Sequence, residues 1–211
     1  MPELTFQVED AQPLDAASPH LAFRLRISEN GPASAIQSVM LQCQIRIEPS
    51  LRRYDPEEQT GLFDLFGEPQ RWGESMRGRL WTHCAVTVAK FSGETAVDLP
   101  VPCTYDFNLA ATKYFHALRD GEVPLTLLFS GTIFYHQDGA LRVAPIAWDK
   151  EASFRLPIRT WKRMMDRYYG NMAWLCLRKD VFERLYRYKS RLAAATWEQA
   201  LDTLLAQAEE K

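Results

Sequence analysis

At 211 residues, with 46% hydrophobic and 25% charged positions, the chain is long enough to bury a core without disulfide or metal staples, and too apolar to remain disordered. A formal net charge of −2 argues against a chain that binds nucleic acid along its whole length. Four cysteines, Cys43, Cys84, Cys103 and Cys176, stand singly with no C-x-x-C pair, which speaks for reduced thiols over a zinc site or a secreted disulfide framework.

The opening "MPELTFQVEDAQ" is acidic and has no apolar signal core, so a cytoplasmic location is expected. It turns at once into a period-two pattern, "LTFQVE", the mark of a half-buried strand. "HLAFRLRIS" follows, with Leu21, Phe23, Leu25 and Ile27 on one face and Arg24 and Arg26 on the other. In "SVMLQCQIRIE" the residues Val39, Leu41, Cys43, Ile45 and Ile47 alternate with Gln42, Gln44 and Arg46. These two strands are expected to pair.

"RYDPEEQTGLFDLFGEP" then changes period. Asp55 suits an N-cap, Pro56 the first helical position and Glu58 a capping box, while Gly67 ends the run. A short helix near 56–66 is expected as a cover over an open end of the sheets. Further strand candidates are "WTHCAVTVAKF", "TAVDLPV", "LRVAPIAW" and "EASFRLPI". "PLTLLFSGTIFYH" is apolar on both faces and reads as a central strand, far too short an apolar run for a membrane helix of about 20 residues. Its single glycine marks a bulge or a close backbone contact. Before it, "VPCTYDFNLAATKYFHAL" reads as a strand from Thr104 to Leu109 running into a helix with Ala111, Phe115 and Leu118 inward and Lys113 and His116 outward.

After Leu156 the period becomes helical. Ile158, Trp161, Met165 and Tyr168 form one stripe that stops at Gly170. Val181, Leu185, Tyr188 and Leu192 form a second behind a capping Asp180, and Leu201, Leu204 and Leu205 a third behind a Thr196–Gln199 capping box. Strands first and helices last is the ordering of an α+β protein: an antiparallel β-sandwich or partial barrel over 1–158, then C-terminal helices over 159–211 packed on it.

No G-x-S-x-G, P-loop, G-x-G-x-x-G or H-E-x-x-H motif occurs. His20, His83, His116 and His136 are scattered, and His83 and Cys84, neighbours on a strand, must point to opposite faces. No metal and no cofactor is expected. Asp149 and Glu151 flank Lys150 in a solvated turn. The strongest signal is electrical: between Arg155 and Arg191 eleven basic residues face three acidic ones, a net of +8 that leaves −10 for the rest of a chain of charge −2. Three readings are open for this basic, aromatic segment: a solvated face or pairing with the acidic β region, an acidic protein partner, or nucleic acid. The partner-binding candidates are Arg159, Lys162, Arg163, Arg167, Arg184, Arg187 and Arg191, the last three on one helix face at i, i+3 and i+7.

The ordered set "LQCQIRIEP", "RRYDPEE", "DLFGEPQRWG", "DLPVPCTYDF", "KYFHAL", "DGEVPLTLLFSGTIFY" and "WDKEASFRLP" resembles the bacterial domain-of-unknown-function family 6084 over nearly the whole chain. The resemblance carries over no catalytic or ligand residue. Its members tend to be encoded beside nickel-iron uptake hydrogenases, which implies a non-enzymatic accessory or scaffold protein with a hydrogenase-related protein partner. The other expectations are a metal-handling or redox enzyme using His83, His116, His136 or a free cysteine, and, third, nucleic-acid binding through the basic helices.

Overall fold

The computed structural model describes residues 2–30, 35–104, 109–170 and 177–209, with positions 172 and 175. In chain order the strands are β1 (Glu3–Pro13), β2 (His20–Asn30), β3 (Ala35–Ile47), β4 (Arg79–Val88), β5 (Glu94–Pro102), β6 (Glu122–Gln137), β7 (Ala140–Pro145) and β8 (Glu151–Pro157). The helices are α1 (Pro56–Gly61), α2 (Phe63–Phe66), α3 (Trp72–Ser75), α4 (Leu109–Ala117), α5 (Ile158–Tyr169), α6 (Lys179–Arg191) and α7 (Trp197–Glu209). The chain divides into two compact units, Met1–Asn171 and Met172–Lys211.

The first unit is an antiparallel sandwich. One sheet has the order β1-β2-β5, and the other β4-β3-β6-β7 with β8 also on β6. Every second residue of β2 and β3 is sealed: Leu21, Phe23, Leu25, Ile27, Val39 and Ile45 have no exposed surface, each such burial contributing about 1.5–3 kcal/mol. The two strands do not pair with each other, contrary to the sequence expectation. β2 lies between β1 and β5, and β3 between β4 and β6. Each is an interior strand of its own sheet, and the apolar faces of both line one shared core. Alternation specifies which face is buried, but two strands with equally apolar faces satisfy it by opposing as well as by pairing. Phe6 stacked on Phe129 at 4.4 Å and Phe23 edge-on to Trp81 at 6.2 Å join the sheets.

β6 is central, as its two-sided apolar pattern indicates. Its first half pairs β8 and its second half β7 along the same edge, with β3 along the other. Gly131 sits where the partner changes, at φ 139°, and a Cβ there would lie 2.0 Å from the Met40 carbonyl oxygen. The lone glycine of this strand is therefore a close backbone contact.

The Asp55 capping box forms in full: the carboxylate accepts from the Glu57 and Glu58 amides, and Glu58 reaches back to the Asp55 amide. The expected single helix is broken at Leu62 into α1 and α2, and Gly67 at φ 72° closes it. The Leu62 side chain is wholly buried at the break, so the chain turns to bring it inward. Ala111 and Phe115 of α4 and Leu118 just after it are buried, and Lys113 and His116 exposed, as the spacing requires. The strand expected before it falls on Tyr105, Asp106 and Phe107, which lie outside the described residues, and Leu109 already opens the helix. Phe115 stacks on Trp161 of α5 at 5.2 Å and meets Trp81 of β4 at 4.8 Å. No helix among the described residues is long and apolar enough to cross a membrane.

Candidate functional site

The α5 stripe packs as its spacing dictates, with Ile158, Trp161 and Met165 buried and Met164 joining them. Three of its four basic residues find partners within the first unit. Arg159 forks onto Asp120, Nε to Oδ1 at 2.9 Å and Nη2 to Oδ2 at 2.5 Å. That guanidinium, with a bond from the Gly121 amide, holds the Asp120 carboxyl below the usual carboxylate range. Lys162 donates to the Arg119 carbonyl at 3.1 Å, and Arg167 to Asp15 at 2.9 Å. Arg163 is exposed and has no ion pair among the described residues. Most of the α5 charge is thus spent on holding the turns around Asp15 and Asp120.

The second unit differs. Its α6 begins at Lys179, so Asp180 is a first-turn residue and not the cap; it accepts from Arg178 at 3.0 Å, and a carboxylate there still complements the helix dipole. At the other end Lys189 donates to the Ala194 and Ala195 carbonyls and lies 5.6 Å from the Trp197 ring. Thr196 caps α7 by accepting from the Gln199 amide at 3.3 Å, but the Gln199 side chain answers to Ala195, one residue earlier than a strict capping box. Arg187 bonds the Glu183 carbonyl of its own helix. Arg184 and Arg191 are exposed with no hydrogen bond or ion pair among the described residues. These three arginines border an open cleft of about 820 Å³ whose apolar wall is Val181, Leu185 and Leu204. Tyr188 also lines it, and its hydroxyl is buried with no hydrogen-bond partner among the described residues.

The groups suited to acid-base or metal chemistry are kept apart. His83 faces Gln44 on the outer side of its sheet, while Cys84 lies directly across from Cys43. His116 is exposed on α4, and His136 is exposed near the end of β6. Cys103 is buried, donates to the Val101 carbonyl at 3.3 Å and is pushed by burial from 9.0 to about 12. Cys176 lies outside the described residues. Among the described residues no group of three or more His, Cys, Asp or Glu could hold a metal ion. Asp149 and Glu151 are exposed beside a turn, and Lys150 between them pairs with Glu3 at 2.8 Å.

One polar cluster is not legible in the sequence. Arg52 and Glu58, with side chains 9% and 4% exposed, pair at 2.6 Å. Arg52 also donates to the Asp120 and Glu122 carbonyls, and the Arg119 amide donates to Glu58 at 2.8 Å. Beside them the Tyr54 and Tyr114 hydroxyls meet at 2.8 Å. Burial pushes Tyr114 from 10.0 to about 12 and raises Tyr54 as well. The Glu58 carboxylate is engaged on both oxygens, so the arrangement ties the loop before β6 to α1 and leaves no poised acid or base. Only the capping-box spacing hinted at Glu58, and it says nothing of burial.

Residues 1–211 match the model of the family of unknown function DUF6084, and the chain belongs to that family. No curated protein matches it. Among solved structures it is similar to the CARDB domain of a Pyrococcus furiosus protein in complex with di-metal ions, at 9% identity and a TM-score of 0.30, covering 74% of this chain and 87% of that one. A putative late embryogenesis abundant protein matches at 15% identity and a TM-score of 0.32, covering 74% and 72%. Likenesses this distant bear on neither mechanism nor partner.

Proposed function

We propose that this DUF6084 chain is a non-enzymatic accessory or scaffold protein that binds an acidic segment of a protein partner along α6. The observation that carries the proposal is the contrast between two basic helices. On α5, Arg159, Lys162 and Arg167 are already matched by groups of the same unit. On α6, Arg184 and Arg191 are exposed and unmatched among the described residues, and with Arg187 they border the cleft of about 820 Å³. Guanidiniums in a row take carboxylates by bidentate bonds, and an adjoining apolar wall supplies the desolvated contact that a charged rim lacks. The orphaned Tyr188 hydroxyl offers one further polar bond. Nucleic acid is less favoured, since ten net negative charges lie outside the basic segment.

The sequence resemblance implies the setting: a nickel-iron hydrogenase subunit or assembly intermediate in the cytoplasm as partner. The test is affinity purification with mass spectrometry from a host encoding such a hydrogenase. Wild type is expected to recover a partner with an acidic exposed segment, and the Arg184→Ala, Arg187→Ala, Arg191→Ala triple variant to lose most of it with unchanged circular dichroism. A control variant at Arg163 is expected to keep it. If no partner is recovered and deletion of the gene leaves hydrogenase activity unchanged, the proposal is wrong. Binding of DNA or RNA at low salt that the triple variant abolishes would replace it with the nucleic-acid reading.

A further inference from the structure

Cys43 and Cys84 are forty-one positions apart in sequence and are direct partners in the antiparallel register of β3 and β4. Such partners have Cα atoms about 4.5–5.5 Å apart with side chains on the same face, inside the range of about 4.4–6.8 Å that a disulfide spans. The two residues are already in contact: the Cys84 thiol donates to the Cys43 carbonyl oxygen at 3.7 Å, and both thiols are free. Their surroundings are unequal. Cys43 is 1% exposed on a middle strand, whereas Cys84 is half-buried on β4, the end strand of its sheet.

We infer that Cys43 and Cys84 form an oxidative modification site, a cross-strand dithiol that closes to an intramolecular disulfide on exchange with a small-molecule disulfide. Cys84, the accessible sulfur, loses its proton and attacks the external disulfide, forming a mixed disulfide and releasing one small thiolate. Cys43 then gives up its proton and attacks the Cys84 sulfur, forming the Cys43–Cys84 bond and expelling the second small thiol. Two protein thiols are oxidised, one external disulfide is reduced to two thiols, and two electrons and two protons pass between them.

The inequality of the two sulfurs sets the order of events. The hydrogen bond that the Cys43 thiol donates to the Cys84 sulfur, with burial second, keeps Cys43 protonated in the reduced pair. Once Cys84 carries the mixed disulfide that bond is gone, and the largest cause opposing ionisation of Cys43 goes with it. The closed bond would tie the end strand β4 to β3 and close the intervening segment, which holds α1, α2 and α3, into a covalent loop.

The test uses the full reduced chain incubated with oxidised glutathione, followed by alkylation, intact mass and peptide mapping. Wild type is expected to lose the mass of two hydrogens, to yield one Cys43–Cys84 linked peptide, to gain several degrees in Tm, and to revert with dithiothreitol. Cys43→Ser is expected to stop at a glutathione adduct on Cys84, and Cys84→Ser to leave Cys43 unmodified. The inference is overturned if wild type also stops at the adduct, if Cys103 or Cys176 is oxidised in place of the pair, or if the link forms only in urea.

Discussion

At the scale of single residues, the structure turns on small distances. Gly131 is the sharpest case: its φ of 139° is open to glycine, and a Cβ would stand 2.0 Å from the Met40 carbonyl oxygen. Because the obstruction is backbone of the paired strand, no rotamer change relieves it. Gly131→Ala is expected to cost about 3 kcal/mol or more, read as a lowered urea midpoint with unchanged m value, and a near-neutral result would contradict the contact. "FSGTIF" announces a close approach but cannot say to what, since Met40 lies on β3, some ninety positions away. Residue identity also exposed the limits of spacing rules. Asp180 has cap chemistry but stands two positions inside the N-cap residue Arg178, and the reciprocal bond of the Thr196 box lands on Ala195.

At the scale of elements, the decisive comparison is how each segment is tied down. The clamp built on Arg52 links the turn after β3, α1 and the loop entering β6 through four bonded groups. Removing one member of a buried ion pair strands the other, so Arg52→Ala is expected to destabilise by about 3–5 kcal/mol. Loss of amide protection should concentrate at Asp120–Glu122, measurable by hydrogen exchange; uniform loss across the sheets would show that the clamp is not local. The exposed Arg159–Asp120 pair shares that loop but is screened by solvent and contributes little by comparison. Element type was legible for most segments: the eight strands β1 to β8 all fall on named alternating stretches and the helical stripes are helices, whereas the strand expected from Thr104 to Leu109 is not seen among the described residues, Leu109 already being helical. Element pairing was not. Alternating patterns in β2 and β3 are equally satisfied by neighbours in a sheet or by opposite walls of a core, and only the partners β1, β5, β4 and β6 decide it.

At the scale of the whole molecule, stability should depend on pH on the alkaline side. Cys103 is raised from 9.0 and Tyr114 from 10.0, each to about 12, both chiefly by burial. The folded state therefore holds protons that the unfolded chain has released. Their contribution is complete below about pH 9 and falls as pH rises toward 12, by up to about 1.4 kcal/mol per unit for each group. Urea midpoints measured from pH 8 to 11 are expected to hold steady and then decline, with a shallower decline in Tyr114→Phe; a flat profile to pH 11 would refute it. The sequence by itself determined the period of most segments, and through it the α+β class and the inward faces, together with the concentration of positive charge between Arg155 and Arg191. These are local quantities, set by which side chains repeat every two or every 3.6 residues. The tertiary structure alone decided that β2 and β3 lie in different sheets, that Cys43 meets Cys84, that Arg52 meets buried Glu58, and that α5 spends its charge on Asp15 and Asp120 while Arg184 and Arg191 stay exposed and unmatched among the described residues. Most of these depend on residues far apart in the chain, whose proximity follows from strand order and register, and even the Arg52–Glu58 pair, six positions apart, is buried only by the loop before β6; periodicity carries no information about any of this.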